Sequence, residues 1–335
     1  MRVSGLDVHK DTIFCAVHNG KKPGEVKEYA TLTTSIREMG VYLQGMGVKK
    51  IAMESTGIYW VPVWNILEEM GFTLILVNAN LIKQMPGRKS DVKDAQWIAM
   101  LLQKNLLRGS LVPCDRIREL RTYSRKYVKL QQRMTTVLQT IERTLEMSNI
   151  RITSFVSRIE SKSVLSVVRH IIHGETSPDR LTECIFGSII NKHGVKIRQS
   201  LEGVVCEHHR FMLEMNYEEY ELLLSQSQRC EEQMDKLCAE YYSREMTLLE
   251  TIPGIKRLAA MLIIAETGGD MNAFENSGKF TGWTGLRPRN DESAGKYKST
   301  AITKGNRYLS AILVQVAWGA VRTKGSCFKE KFSRL

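Results

Sequence analysis

The order of β-rich and helical runs in the first hundred residues constrains the fold more than any other feature of the chain. Residues 3–6, 13–17 and 26–30 read as three short strands, the first two parted by a turn at Lys10-Asp11. A helix over 35–46, a strand over 50–53, a helix over 59–70 and a strand over 72–77 follow. The last strand, FTLILV, is apolar enough to be buried on both faces. Three strands in succession, then strands alternating with helices, predict a mixed sheet covered by helices. Val112-Pro113 closes this segment and a helix begins near Asp115, so a first α/β domain is expected over residues 1–112.

Acidic residues fall at the ends of these elements. Asp7 ends the first strand, and Glu54 ends the fourth, directly before the polar turn Ser55-Thr56-Gly57. Asp91 and Asp94 open the apolar helical run 95–102. Three residues apart, they share one face of the first turn, where the positive end of the helix dipole tolerates two ionised carboxylates. A D-x-x-D at a helix start is also what an ordinary cap looks like, and each acid alone fits a solvated surface. If neighbouring strands bring Asp7 beside Glu54, the constellation repels itself unless a divalent cation with oxygen ligands offsets the charge. Mg²⁺ prefers a few carboxylates plus substrate phosphate oxygens, and two such ions about 4 Å apart clamp both oxygens of a phosphodiester displacement.

Two long helices, each with one apolar stripe, are expected in a helical middle region over 113–245. Leu120, Tyr123, Tyr127, Leu130, Met134, Val137 and Ile141 recur at spacings of three and four, a heptad seam. Leu213, Tyr217, Tyr220, Leu224, Met234, Leu237 and Tyr241 make a second seam, interrupted at Ser227 and Glu231. The pair fits an antiparallel coiled coil or a dimerisation arm. Arg118, Arg121, Arg125, Lys129 and Arg133 form a basic stripe beside the first seam, either a nucleic-acid-facing surface or a solvated flank. The intervening stretch, about 150–207, reads as short helices around Gly174, Gly187, Gly194 and Gly203. Cys206, His208 and His209 match no zinc-ligand spacing and are read as surface or packing residues.

The remaining residues, 246–335, concentrate the charge. The chain has 48 Lys and Arg against 36 Asp and Glu, a net charge of +12. From Ser277 onward twelve basic residues face three acids, so this segment carries nine of those twelve charges. Such a concentration suggests a polyanion partner, most often nucleic acid; solubility or an acidic protein partner is the other reading. Thr251-Ile252-Pro253-Gly254-Ile255-Lys256 before the apolar run 258–264 reads as a glycine-bearing turn opening a mostly helical domain. In helix-hairpin-helix modules such a turn presents N–H groups to a DNA phosphate, and an ordinary tight turn fits these residues equally. Gly254, Lys256, Arg287, Arg289, Lys296, Lys298 and Lys304 are the candidate nucleic-acid contacts here, with Arg118, Arg121, Arg125 and Lys129 from the stripe. The seven cysteines are scattered without a C-x-x-C pair, which argues against a disulfide framework or zinc ribbon. With a charged residue at Arg2 and Asp7 and no apolar run near the roughly 18 residues needed to span a bilayer, a soluble cytoplasmic protein with no membrane partner is expected.

Three motifs in order, Gly5-Leu6-Asp7-Val8-His9-Lys10, Met53-Glu54-Ser55-Thr56-Gly57 and Lys89-Ser90-Asp91-Val92-Lys93-Asp94-Ala95, resemble the DEDD series of the insertion sequence 110 family of transposases. The resemblance implies a RuvC-like, ribonuclease-H-type first domain in which Asp7, Glu54, Asp91 and Asp94 bind metal, with two Mg²⁺ ions expected. Residues 252–320 resemble the family's second domain, whose pattern runs I-P-G-I, G-L-x-P and K-x-G-N. There a serine five positions beyond G-L-x-P attacks the scissile phosphate, and counting from Pro288 lands on Ser293. The family commonly has glycine directly after that serine, whereas Ala294 stands here before Gly295, which leaves Ser299 and Ser277 as lesser candidates. The resemblance further implies a coiled coil joining protomers into a dimer or tetramer, DNA at element ends and target as substrate, and an element-encoded guide RNA. The expectation is a transposase working by transesterification through a phosphoserine. A structure-selective nuclease with water as nucleophile is the alternative. An ATP-binding, non-catalytic member of the superfold would need phosphate turns beyond Gly5-Leu6-Asp7, for which 54–57 is the one candidate.

Overall fold

A computed structural model of the protein describes residues 2–54, 57–77, 91–107, 109–110, 112–288, 291–293, 296–299 and 301–334. Of Pro23 and of residues 91–93, 291–293 and 296–298 it describes the backbone alone. Ser55, Thr56, Lys89, Ser90, Arg289, Ala294 and Gly295 lie outside the described residues. The chain divides into two compact units, Met1–Val112 and Pro113–Leu335.

The N-terminal unit is built on five strands: β1 (Val3–Val8), β2 (Thr12–His18), β3 (Pro23–Ala30), β4 (Lys50–Glu54) and β5 (Thr73–Val77). Their order in the sheet is β3-β2-β1-β4-β5. A tight turn, closed by the His9 amide donating to the Thr12 carbonyl at 2.9 Å, lets β1 and β2 pair antiparallel, as β2 and β3 do. The strands β4 and β5 are each reached through a helix, and such crossovers make the pairs β1/β4 and β4/β5 parallel. The mixed sheet read from the sequence is therefore present. The strand β5 ends the sheet order, yet both of its faces are covered as expected, Leu74 and Leu76 in one core and Ile75 and Val77 in the other, with Thr73 exposed. An unbroken apolar run does not reveal whether a strand has neighbours on both sides.

Side chains alternate across this sheet and sort into two cores. On one face Leu6, Val8, Ile13, Cys15, Ile51 and Met53 pack against α1 (Thr33–Gly45) and α2 (Trp60–Glu69) through Ile36, Met39, Leu43, Val63 and Leu67. On the other, Val3, Ala52 and Val77 are covered by α3 (Asp91–Gln103) through Ile98 and Leu102. Beside them Ala16, Ala95 and Ala99 make a patch of small residues where α3 crosses the sheet at Gly5. A Cβ on Gly5 would collide with the Ala95 carbonyl and the Ala99 amide. The absence of a side chain there sets how closely the helix lies on β1.

In the C-terminal unit α4 (Asp115–Met147) is followed by a 3₁₀ turn at Ile152–Ser154 and four short helices, α5 (Lys162–Ile172), α6 (Pro178–Glu183), α7 (Gly187–His193) and α8 (Val195–Ser200). The long α9 (Glu207–Tyr241) then returns antiparallel to α4, as the contacts of Arg133 with Glu219, Gln131 with Ser227 and Arg116 with Tyr241 show. The short helices share a core with the distal halves of the long pair, through Val164, Val168, Ile171, Ile197 and Leu201. The buried line on α9 is Leu213, Tyr220, Leu223, Ser227, Met234 and Cys238, so Ser227 does not interrupt the seam. It is buried and accepts a hydrogen bond from Gln131 Nε2 at 2.8 Å, while Leu224 and Tyr241 are turned outward. Cys206 and His209 make a reciprocal cap at the start of α9.

The chain continues through α10 (Ser243–Glu250), α11 (Arg257–Thr267), α12 (Ser277–Thr284), the hairpin strands β6 (Asp291–Ser293) and β7 (Lys296–Ser299), α13 (Arg307–Arg322) and α14 (Cys327–Ser333). Every residue of α11 from Ala260 to Thr267 is buried, which makes it the central helix of this end of the unit. Its core joins Ile117 and Leu120 of α4 and Met234 and Cys238 of α9 to Met246, Ile255, Leu309 and Ile312. Among the described residues no helix is long and apolar enough to cross a membrane.

Because the collision at Gly5 is with backbone rather than with a flexible side chain, Gly5→Ala is expected to cost about 2–3 kcal/mol, as overpacking does. Gly45→Ala, which meets nothing within 4 Å, is expected to be neutral or to gain up to about 1 kcal/mol. Thermal melts of the two variants against the parent chain check the contrast.

Candidate active site

The sheet register brings the first two acids together. Leu6 stands opposite Met53 in the parallel pair β1/β4, so the next residues, Asp7 and Glu54, lie side by side at the strand ends. They share the face of Gly5 and Ala52, the one under α3. Both are buried, Asp7 to 5% and Glu54 to 9% exposure. Because Gly5 holds α3 directly on β1, the N-terminal turn of that helix reaches the same strand ends, and Asp94 is near enough to act on Asp7 electrostatically. Asp91 begins α3 three residues earlier; its side chain lies outside the described residues.

This crowding shows in the protonation of Asp7. Burial pushes its carboxyl above the ordinary carboxylate range, and the charges of Glu54 and Asp94 add to the shift. His9 opposes it, with Nε2 3.1 Å from Asp7 Oδ2 and its ring edge-on to Phe14. A desolvated carboxylate pressed by two others is a set of hard oxygen donors lacking positive charge, which is the requirement a divalent cation meets. Among the described residues no three of His, Cys, Asp and Glu stand close enough to hold such an ion.

Ser293 is the last residue of β6, opposite Lys296 across the hairpin turn. The hairpin rises from a tightly closed base. Pro288 bridges Ile302, the Thr303 amide donates to the Arg287 carbonyl at 3.0 Å, and the Asn306 amide donates to the Trp283 carbonyl at 3.0 Å. Gly285, at φ +77°, touches Gly305 backbone to backbone, and a Cβ on either would collide with the other. The G-L-x-P and K-x-G-N segments thus form the two legs of one stalk. Of the lesser candidates, Ser299 accepts a hydrogen bond from the Ala301 amide at 3.1 Å, and Ser277 lies in the first turn of α12.

The basic stripe on α4 is largely engaged within the chain. Arg125 holds both carboxylate oxygens of Glu266, at 2.9 and 3.0 Å, and Arg121 donates to the carbonyls of Ala265 and Glu266 at 3.0 and 2.9 Å. Asn306 completes the network, donating Nδ2 to Glu266 at 2.6 Å while its Oδ1 caps α13 by accepting from the Tyr308 and Leu309 amides. Glu266 is fully buried. Burial alone would raise its pKa, but the hydrogen bonds from Arg125 and Asn306 and the charge of Arg121 outweigh it and hold the carboxyl below its usual value. Arg118 pairs with Asp115 and Arg133 with Glu219, whereas Lys129 is exposed. Gly254, at φ +90°, packs against Gly319 and Ala320 of α13, and Lys256, the N-cap of α11, is exposed. Arg287 and Lys304 are exposed, while Lys296 and Lys298 are placed by backbone on β7. Sequence reasoning missed Glu266 and the bracing role of Asn306. The available signal was a single carboxylate directly after the apolar run 258–265, a residue type rarely buried without a partner.

Comparisons with known proteins match two family models to the chain. Residues 4–150 match a family model described as "Transposase", of the DEDD type of IS110 elements, and residues 246–333 match one described as "Transposase IS116/IS110/IS902 family". Solved structures similar to the chain include Thermus thermophilus RuvC in complex with Holliday junction substrate, at 13% identity and a TM-score of 0.26, covering 33% of this chain and 99% of that one. Thermus thermophilus RuvC alone matches at 13% identity and a TM-score of 0.25, over 33% of this chain and 100% of that one. None of the curated proteins matches the chain.

The raised pKa of Asp7 has a definite sign in stability. The folded state holds this proton more tightly than the unfolded state, so the stabilisation is full below the unfolded pKa and is lost as pH rises through the folded value. Without divalent ions, the melting temperature of Asp7→Asn minus that of the parent is therefore expected to increase from pH 4 to pH 7. Melts in a chelating buffer at the two pH values measure it.

Proposed function

The chain belongs to the IS110 family of transposases, and from that premise we propose that it cuts and rejoins DNA by phosphodiester transesterification with Ser293 as the nucleophile. The observation that carries this reading is the buried pair Asp7 and Glu54 at adjoining strand ends, with half-buried Asp94 on the first turn of α3 near enough to act on Asp7, at the positions where the family motifs fall. Asp7, Glu54, Asp91 and Asp94 would hold divalent cations, Mg²⁺ by the hardness of the donors, which when bound polarise a phosphate and offset its charge.

Ser293 stands at the tip of a hairpin whose foot is locked by the Gly285/Gly305 contact, so its position relative to Arg287 and Lys304 is set by backbone. Its hydroxyl oxygen forms a bond to phosphorus as the bond to the departing sugar oxygen breaks; the serine proton leaves to a base and the sugar oxygen takes one up. The resulting phosphoserine diester conserves the bond, and attack by another strand's hydroxyl restores the serine. Asp7, buried and beside Glu54 and Asp94, has a carboxyl pushed above the ordinary carboxylate range, so positive charge entering the site would favour its ionised form.

The DNA sites are chosen by an element-encoded RNA, so base pairing reads sequence while the protein holds backbones. The chain works as a homo-oligomer, a dimer or tetramer formed through the α4/α9 arm as a coiled coil. Exposed Phe211, Met215 and Leu222 lie along α9 at helical spacing and support that assembly. A second reading, a hydrolytic nuclease using water, is favoured by one fact: the acidic group is built inside the N-terminal unit alone.

Labelled element-end DNA, incubated with the protein, Mg²⁺ and the element's flanking transcript, separates the two on a denaturing gel. The transposase reading predicts a covalent protein–DNA adduct that both Ser293→Ala and Asp7→Asn abolish. Cleavage without an adduct, retained in Ser293→Ala and lost in Asp7→Asn, would establish the hydrolytic reading.

A further inference from the structure

We infer that a concavity of about 460 Å³ at the foot of the Ser293 hairpin is a binding site for a phosphodiester of a nucleic-acid strand, held by Arg121, Arg125, Lys304 and Arg307 around Tyr308. The inference deepens the proposed function by naming where the strand is gripped, and it rests on the reading of the chain as acting on nucleic acid.

Charge is the first ground. No acid lines the concavity, and the carboxylate of Glu266 behind it is fully buried and already shared by Arg125 and Arg121. Four cations thus face one carboxylate, and among the described residues neither Lys304 nor Arg307 has an ion-pair partner. Both are exposed.

Order is the second ground. The Tyr308 ring carries the Arg125 guanidinium at 4.7 Å and that of Arg307 at 5.1 Å from its centroid. Arg307 Nη2 also donates to the Tyr308 hydroxyl at 3.3 Å. Two of the four cations are therefore held by a buried carboxylate and a third by an aromatic ring, so little side-chain freedom is left to lose on binding. The Nε and Nη2 donors of Arg121 and Arg125 are taken by Ala265 and Glu266, so these two would bring charge and Nη1 to a phosphate, while Lys304 and Arg307 would supply the principal donors. The amides of Tyr308 and Leu309 are already taken by Asn306, so the site consists of side chains and not of a bare helix end.

Continuity is the third ground. A second concavity, of about 570 Å³, shares Arg307 and Tyr308 and runs along α4 past Lys129, Gln131 and Gln132. The two therefore adjoin at Arg307 and Tyr308. Trp283 and Lys304, on the legs of the stalk below Ser293, line the first of them.

The test is fluorescence anisotropy of labelled single-stranded DNA and RNA of one sequence with the full chain, for the parent, Lys304→Gln, Arg307→Gln and, as a control outside the concavity, Lys331→Gln. Each of the first two is expected to weaken binding about five-fold at 0.1 M salt and to lower the salt slope by about 0.7, the value for one phosphate contact on a single strand. Melting temperatures confirm that the variants are folded. Loss on both polymers supports a shared phosphodiester site, and loss on one supports it and identifies the strand. If the parent binds while both variants match it, or if Lys331→Gln loses as much, the inference is overturned and the proposed function stands. If the parent binds neither polymer, the nucleic-acid reading itself fails.

Discussion

The contact on which the N-terminal unit depends is the close approach of α3 to β1 over Gly5. Two alanines on the helix and a glycine on the strand remove the side chains that would hold the layers apart. The first turn of the helix thereby arrives beside the strand ends. The parallel register of β1 and β4 brings Asp7 and Glu54 to the same place where the sheet stops, and Asp94 is near enough to act on Asp7 electrostatically. Stability alone would not select this arrangement, since burial and mutual repulsion both disfavour the charged forms. Packing imposes it: the approach of α3 over Gly5 and the register of β1 and β4 place the acids together.

The C-terminal unit solves the opposite problem. Its excess is of cations, and Glu266 orders two of them. One buried carboxylate ties α4 to α11 and, through Asn306, to the start of α13. Breaking a buried pair of this kind costs about 3–5 kcal/mol, because it leaves charge without a partner. The same network braces Asn306, whose amide donates to the Trp283 carbonyl at the foot of the hairpin.

Much of the N-terminal unit was legible from residue order. Strand periodicity, the three-then-alternating pattern and the acids at element ends are local features, and the structure keeps each of them. The place of β5 at the end of the sheet was not legible, because an edge strand and a central strand share the same apolar run. On α9, Ser227 read as a break in the seam, whereas it is a buried partner of Gln131, 96 residues away. The stripe on α4 presented two readings, flank or nucleic-acid surface, and Arg121 and Arg125 turned out to be anchored by Glu266 some 140 residues along the chain. Side chains whose role is set by a distant partner carry no local signature, and those were the residues missed.

The central claim is that Asp7 and its neighbours form one divalent-cation site. Calorimetric titration of Mn²⁺ into the full chain, the Asp7→Asn variant and the Glu54→Gln variant addresses it directly. A shared site is expected to give saturable binding to the parent that is lost or greatly weakened in both variants. Binding of equal affinity and stoichiometry in all three would contradict it.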